Sequence, residues 1–103
     1  DLVVTGVQTC ALPIYNLKLP HMGWNLAIPT NSKQNSLISI KNDYYFVHSY
    51  YFDCTYKDNI LAETKYGINF ASIVGKENIY GVQFHPEKSS SQGLNLVKEF
   101  ISI

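Results

Sequence analysis

Charge and cysteine are both scarce in this 103-residue sequence. Charged residues make up 16 %, sum to zero at neutral pH and form no Lys/Arg cluster. A phosphate-binding surface needs concentrated positive charge, so no nucleic-acid partner is expected. Long apolar runs are missing as well. None approaches the ~18 residues that cross a bilayer, so no membrane span is expected, and no basic start followed by an apolar stretch marks a secretory leader. The two cysteines, Cys10 and Cys54, have neither metal-ligand nor redox spacing. A disulfide between them stays open, although nothing points to an oxidising compartment. What is present is 46 % apolar residues, enough for the core of one small globular domain. A soluble, cytoplasmic protein without a metal is the resulting expectation.

The first fourteen residues are a separate matter. Val4 to Ile14 reads V-T-G-V-Q-T-C-A-L-P-I, which resembles the translation of one frame of a widely used sequencing-library adapter; the alternative is a natural strand or loop. Residues 1–14 are therefore read as an assembly scar, and residues 15–103 as the native chain, truncated at its N-terminal side.

Within the native part, residues 20–30 (PHMGWNLAIPT) hold two prolines and a glycine around Trp24, which predicts an ordered loop leading into a short extended piece. Asn31–Asn35 is a polar turn, and Ser36–Ile40 a short helical turn or strand. Tyr44–Phe52 (YYFVHSYYF) is dense in aromatic and β-branched residues and predicts one buried strand. Ile60–Tyr66 and Ile68–Val74 flank Gly67 as a β-hairpin, and Asn78–Phe84 forms a further strand ended by Pro86. From Ser91 the period changes. Leu94, Val97 and Ile101, widened by Leu96 and Phe100, predict an amphipathic helix with Ser89, Ser90 or Ser91 as its N-cap.

The most suggestive chemistry lies at Y-G-V-Q-F-H-P-E-K-S, residues 80–89. Side chains alternate along a strand, so Val82 and Phe84 point one way and Gln83 and His85 the other. Pro86 stops the ladder, and Glu87 can then turn back to His85. A carboxylate on one ring nitrogen orients an imidazole and leaves the other nitrogen to act as a base. A surface His and Glu flanking a turn would have the same sequence. A base of this kind needs a nucleophile on a sharp turn with small residues two positions to either side. Cys10 has Gln8 and Leu12 at those offsets, and Cys54 has Phe52 and Tyr56. Neither fits, and Cys54 reads as a small packing residue.

G-V-Q-F-H-P-E-K-S at 81–89, V-H-S-Y-Y at 47–51 and P-H-M-G-W-N at 20–25 together resemble the glutamine amidotransferase subunit of imidazole glycerol phosphate synthase. The resemblance covers Tyr15 to Ile103. It implies an α/β class I glutamine amidotransferase domain of flavodoxin-like fold, of which this chain would be the C-terminal half, mostly strands plus a C-terminal helix. The other half would hold the first parallel strands, the oxyanion-forming loop and the G-x-C-x-G turn with the nucleophile.

The implied reaction is hydrolysis of glutamine to glutamate and ammonia, with ammonia channelled to the synthase (cyclase) subunit of a heterodimer in histidine biosynthesis. No metal or organic cofactor is implied. Carried over by position, His85 is the general base and Glu87 the residue that orients it. Ser49 and Tyr50 contact the substrate glutamine, largely through backbone. Met22, Trp24, Asn25, Tyr45 and Lys88 face the partner subunit. Read as plain residues, Trp24 and Met22 could equally fill the core, Tyr44, Tyr45 and Tyr51 pack a half-buried strand, Lys88 is an ordinary surface lysine, and His21 and His48 are structural histidines with hydrogen-bonded rings. Two alternatives stand beside this reading. Related subunits feed ammonia to surface-sugar biosynthesis, and the chain as it stands would be a catalytically dead, partner-binding fragment. Half an α/β domain buries little surface, so the isolated chain is expected to be marginally folded.

Overall fold

Alternation of side chains sets the architecture. In the computed structural model, which describes residues 7–12 and 18–103, the strand β3 (Asn42–His48) buries Tyr44, Phe46 and His48 and turns Asp43, Tyr45 and Val47 outward. Six further strands join it: β1 (Val7–Ala11), β2 (His21–Pro29), β4 (Tyr50–Cys54), β5 (Ile60–Tyr66), β6 (Ile68–Lys76) and β7 (Ile79–Val82). One helix, α1 (Ser90–Ser102), follows. The sheet order is β1-β4-β6-β5-β2-β3, with β7 also pairing with β6, along Ile73–Lys76 past the point where β4 meets it at Ala71, and every described pairing is antiparallel. This is a mostly antiparallel sheet with a C-terminal helix, the strand-rich part of an α/β domain.

The β5–β6 hairpin follows the pattern read in the sequence. Tyr66 pairs with Ile68, and Gly67 makes the turn at φ +76°, a conformation that side-chain-bearing residues resist. The aromatic run Tyr44–Phe52 is not one strand. It breaks at Ser49, because the chain exchanges partners there: β3 pairs with β2, whereas β4 pairs with β1 and β6. Residues 20–30 are likewise no loop. β2 is nine residues long and pairs with β3 from His21↔His48 to Ala27↔Asn42. Its apolar side chains Met22, Trp24, Leu26 and Ile28 sit on the outer face, which inverts the usual pattern and hides the strand from a search for buried alternation. Ser36–Ile40 is neither helix nor strand. Its Leu37 and Ile38 plug the core while the Asn35 side chain accepts from the Ile38 N–H and donates to the Leu61 carbonyl.

Phe46, Phe70, Leu61 and Ile73 are fully buried at the centre of the core. Tyr44 stacks on Phe84 with centroids 4.1 Å apart, and Phe46 meets Phe84 edge-on at 5.5 Å. This stack holds the end of the β7 segment against β3. Helix α1 presses Gly93 and Leu96 inward, and Phe100 meets Tyr80 edge-on. Leu94 and Ile101, expected on the buried stripe, are 55 % and 73 % exposed, so the helix is rotated from the face the sequence predicts.

β1 falls inside residues 1–14. It lies on the edge of β4 in register Val7↔Cys54 to Ala11↔Tyr50. Edge pairing is made by backbone groups and accepts many sequences, so it does not distinguish a native strand from a foreign one. The rest of that segment, residues 1–6 and 13–14, lies outside the described residues.

Candidate active site

His85 leaves the sheet just past β7. Its backbone N–H donates to the Tyr45 carbonyl at 2.9 Å, which anchors the exit to the edge of β3. Pro86 opens a 3₁₀ turn, Pro86–Lys88, closed by Lys88 N–H to His85 O at 3.0 Å and Ser89 N–H to Pro86 O at 3.1 Å. That single turn folds Glu87 back, so that His85 Nδ1 and Glu87 Oε2 are 3.2 Å apart. With Nδ1–H donating to the carboxylate, Nε2 keeps its lone pair and can take a proton. The two side chains are 40 % and 65 % exposed, so the pair is open to an approaching group. Glu87 is held below the usual carboxylate range, first by its own backbone N–H, against a smaller opposing effect of desolvation, and then by His85 and Lys88. It is therefore ionised wherever the imidazole needs a partner.

In the sequence Ser89 reads only as a helix cap. At the N-cap position its hydroxyl makes no cap bond. Fully buried, it donates to the His85 carbonyl at 2.6 Å and accepts from the Tyr45 N–H at 2.9 Å. No local pattern could reveal this, because the partner strand is 44 residues away. Ser90 follows at φ +58°, a left-handed conformation that costs a serine about 1–2 kcal/mol. Ser90→Gly is therefore expected to raise stability by up to about 1 kcal/mol, after the extra chain entropy of glycine is counted. A higher thermal midpoint would show it; an unchanged or lower one would remove the strain.

Met22 and Trp24 do not fill the core. They are 61 % and 52 % exposed on the outer face of β2, where Trp24 meets Tyr45 edge-on at 6.0 Å. Since Tyr45 also holds His85, this apolar face and the His-Glu pair share one residue of β3. Lys88 is exposed in the turn beside Glu87. Asn25 alternates to the inner face and does not share the surface of Met22 and Trp24. Ser49 and Tyr50 lie at the β3–β4 break. Leu12 N–H donates to Ser49 O at 2.9 Å and His48 Nδ1 to Tyr50 O at 2.7 Å, while the Tyr50 ring is exposed. Neither residue touches His85 among the described contacts. Cys54 is half-buried in β4, and burial, with a smaller effect of Asp53, pushes its thiol up, the wrong direction for a nucleophile. Cys10 lies 3.9 Å from an Asp53 carboxylate oxygen, on the far strand pair from His85.

His21 and His48 have hydrogen-bonded rings, as the sequence predicts for structural histidines. His21 Nδ1 and His48 Nε2 are 2.8 Å apart, and His21 stacks between Phe46 and Tyr66. Burial, then the neighbouring His48, lowers His21 from 6.5 to about 4, and burial lowers His48 in the same direction against its bond to Tyr50. The folded form keeps His21 neutral, and the unfolded chain binds a proton below pH 6.5, so stability present above 6.5 is lost as pH falls towards 4. The loss is about 3 kcal/mol, with little further contribution from His21 below that. Denaturant midpoints measured from pH 7.5 to 4, wild type against His21→Phe, check it. Equal slopes for the two proteins would refute it.

The family model for Glutamine amidotransferase class-I matches residues 5–103. The chain belongs to the class I glutamine amidotransferases. Among curated relatives of this family, the chain is similar to imidazole glycerol phosphate synthase subunit HisH 2 of Methanococcus maripaludis, 49 % identical over 85 residues, 82 % of this chain and 42 % of that protein. It is also similar to subunit HisH of Leptospira borgpetersenii, 42 % identical over 92 residues, and of Bacillus subtilis, 44 % identical over 85 residues. Those alignments cover 86 % and 82 % of this chain but 44 % and 40 % of the relatives, so this amidotransferase chain spans less than half their length. No helix among its described residues is long and apolar enough to cross a membrane.

Proposed function

We propose that the protein to which this sequence belongs is the glutaminase subunit of an imidazole glycerol phosphate synthase, working in histidine biosynthesis as a heterodimer with the synthase (cyclase) subunit. The observation that carries the reading is the His85–Glu87 pair, held open at the end of β7 with its Nε2 unbonded among the described residues. Similarity to three HisH subunits supports the choice of acceptor. In this reading a cysteine thiolate attacks the side-chain carboxamide carbon of glutamine. His85 first takes the thiol proton and then returns it to the departing nitrogen, so ammonia leaves and a thioester remains. Water, deprotonated by the same imidazole, cleaves the thioester to glutamate and restores the thiol. Glu87 stabilises the imidazolium formed at each stage.

Neither Cys10 nor Cys54 stands at the pair, so the thiolate comes from a part of the protein that this chain does not span, and the 103 residues alone lack glutaminase activity. The outer face of β2, with Met22 and Trp24, Tyr45 beside it and Lys88 next to Glu87, forms the partner surface. Placing the partner there puts it next to the atom that releases ammonia. Ser49 and Tyr50 hold the glutamine, and the site is the cytoplasmic one of a biosynthetic enzyme.

The test is an assay of the full-length protein mixed with the cyclase subunit. Glutamine should then supply the nitrogen of imidazole glycerol phosphate, and each subunit alone should not do so. Failure with that partner but ammonia release with a surface-sugar amidotransferase would move the protein to the alternative acceptor. The proposal also takes residues 1–14 as foreign to the protein. Ordinary coding sequence over those codons, in place of adapter sequence, would remove that part.

A further inference from the structure

Buried polar groups that no step of the chemistry uses run in a line from β2 to the β3–β4 break. His48 Nδ1 is 2.7 Å from the Tyr50 carbonyl, which can only accept, so His48 carries its proton on Nδ1. A neutral His48 must then accept at Nε2, and the group 2.8 Å away, His21 Nδ1, must donate. His21 Nε2 is left as an acceptor for the Asn25 side-chain amide at 3.1 Å. The second amide hydrogen of Asn25 goes to the Lys65 carbonyl at 2.9 Å, and its oxygen accepts from the Leu26 N–H at 2.8 Å. Every proton in the chain Asn25→His21→His48→Tyr50 O therefore has one allowed position. Phe46 of β3, Tyr66 of β5 and Phe70 of β6 enclose the two rings, and no charged side chain is among these neighbours.

We infer that His48 is a positioning residue for glutamine. Held in one tautomer by His21 and Asn25, it fixes the Tyr50 carbonyl and so the peptide geometry of the Ser49–Tyr50 break. This rests on the reading above that Ser49 and Tyr50 contact the substrate. The physical reason is that the aromatic run changes strand partner at this break: β2 holds the backbone only up to His48, and the partners that follow, Leu12 N–H on Ser49 O and Ala11 opposite Tyr50, lie in residues 1–14, which the proposed function takes as foreign to the protein. Without that segment, the side-chain bond from His48 is what holds the Tyr50 carbonyl. The chain also begins on β2, one residue from Trp24, so a shift of that strand has a direct route to the Tyr50 peptide.

The experiment uses the complete two-subunit enzyme and two substitutions that divide the functions of the ring. In His48→Asn the amide nitrogen stands near the Nδ1 position and keeps the bond to Tyr50, whereas in His48→Gln the amide stands near Nε2, keeping the link to His21 and losing Tyr50. The glutamine KM of His48→Gln is expected to rise about tenfold with kcat changed much less, the effect of one lost positioning hydrogen bond. His48→Asn should stay near the wild-type KM. An unchanged KM in a folded His48→Gln enzyme overturns the inference, and so does an equal rise in both variants. If the variants do not fold, ¹⁵N-imidazole shifts of the wild-type enzyme decide. Protonation of His48 at Nδ1, with a change in its resonance on glutamine binding, supports the inference; protonation at Nε2, or no change, overturns it. His85→Ala is the control on the underlying reading. If it leaves glutamine turnover intact, the glutaminase assignment fails; if it abolishes turnover while His48→Gln keeps the wild-type KM, the positioning role alone fails.

Discussion

His85→Ala in the complete enzyme of the proposed function is expected to lower glutamine-dependent turnover by about 10²–10⁴-fold, the usual contribution of a positioned general acid–base. Turnover driven by added ammonia should stay near wild type, because the acceptor reaction then bypasses the amide hydrolysis. The split follows from geometry: the imidazole hangs on the outside of the β3 edge, and its one side-chain bond among the described residues goes to Glu87. Removing it opens no core cavity and leaves the backbone anchor to Tyr45 in place. Glu87→Gln should act in the same direction but more weakly, roughly tenfold, because a glutamine oxygen can still accept from Nδ1 although it no longer stabilises the imidazolium. Initial rates with saturating glutamine and with saturating ammonium salt measure both. An equal loss of the ammonia-dependent rate would show that the pair serves the acceptor subunit or the fold, and the assigned roles would be wrong.

Gly93→Ala should unfold or displace the turn that carries Glu87. A Cβ at that position would come within 2.0 Å of the Pro86 carbonyl oxygen and 2.8 Å of Ser89 Cβ. The oxygen cannot move aside cheaply, since it is backbone and accepts from the Ser89 N–H inside the 3₁₀ turn. Relief requires lifting α1 off the turn or shifting Pro86–Lys88 itself. Overpacking of this kind costs about 3 kcal/mol, which lowers the melting temperature of a domain of ordinary size by on the order of 10 °C. Glutamine-dependent turnover should fall with it, since Glu87 moves with Pro86. Differential scanning calorimetry and the same rate assay test the pair of effects. A Gly93→Ala protein with wild-type melting and activity would mean that helix and turn are not in contact as described.

Legibility in the sequence divided along a physical line. The β5–β6 hairpin was readable because Gly67 and its two flanking apolar runs are local, and α1 because its period is local too. The His-Glu pair was readable for the same reason: the two residues are two apart, and Pro86 between them forces the turn. What failed depended on partners far along the chain. β2 looked like a loop because its prolines and glycine are strong local signals, whereas its seven paired positions on β3 and its outward apolar row are tertiary facts. The single strand expected over Tyr44–Phe52 overlooked a change of neighbours that no window around Ser49 contains. The rotation of α1 was hidden because an amphipathic stripe shows that a helix has a buried side without saying which neighbour sets its edge.

By itself, then, the sequence determined the family resemblance, the hairpin, the helix and the closeness of His85 to Glu87, since each is written in residues adjacent or nearly adjacent in the chain. The tertiary structure alone decided the rest. It turned Met22 and Trp24 outward beside Tyr45, and it buried the Ser89 hydroxyl between two segments 44 residues apart. It also aligned Asn25, His21 and His48 into one directed line of hydrogen bonds. The reason is common to all three: a buried polar group or an exposed apolar one takes its meaning from what lies across from it, and strand pairing chooses that partner.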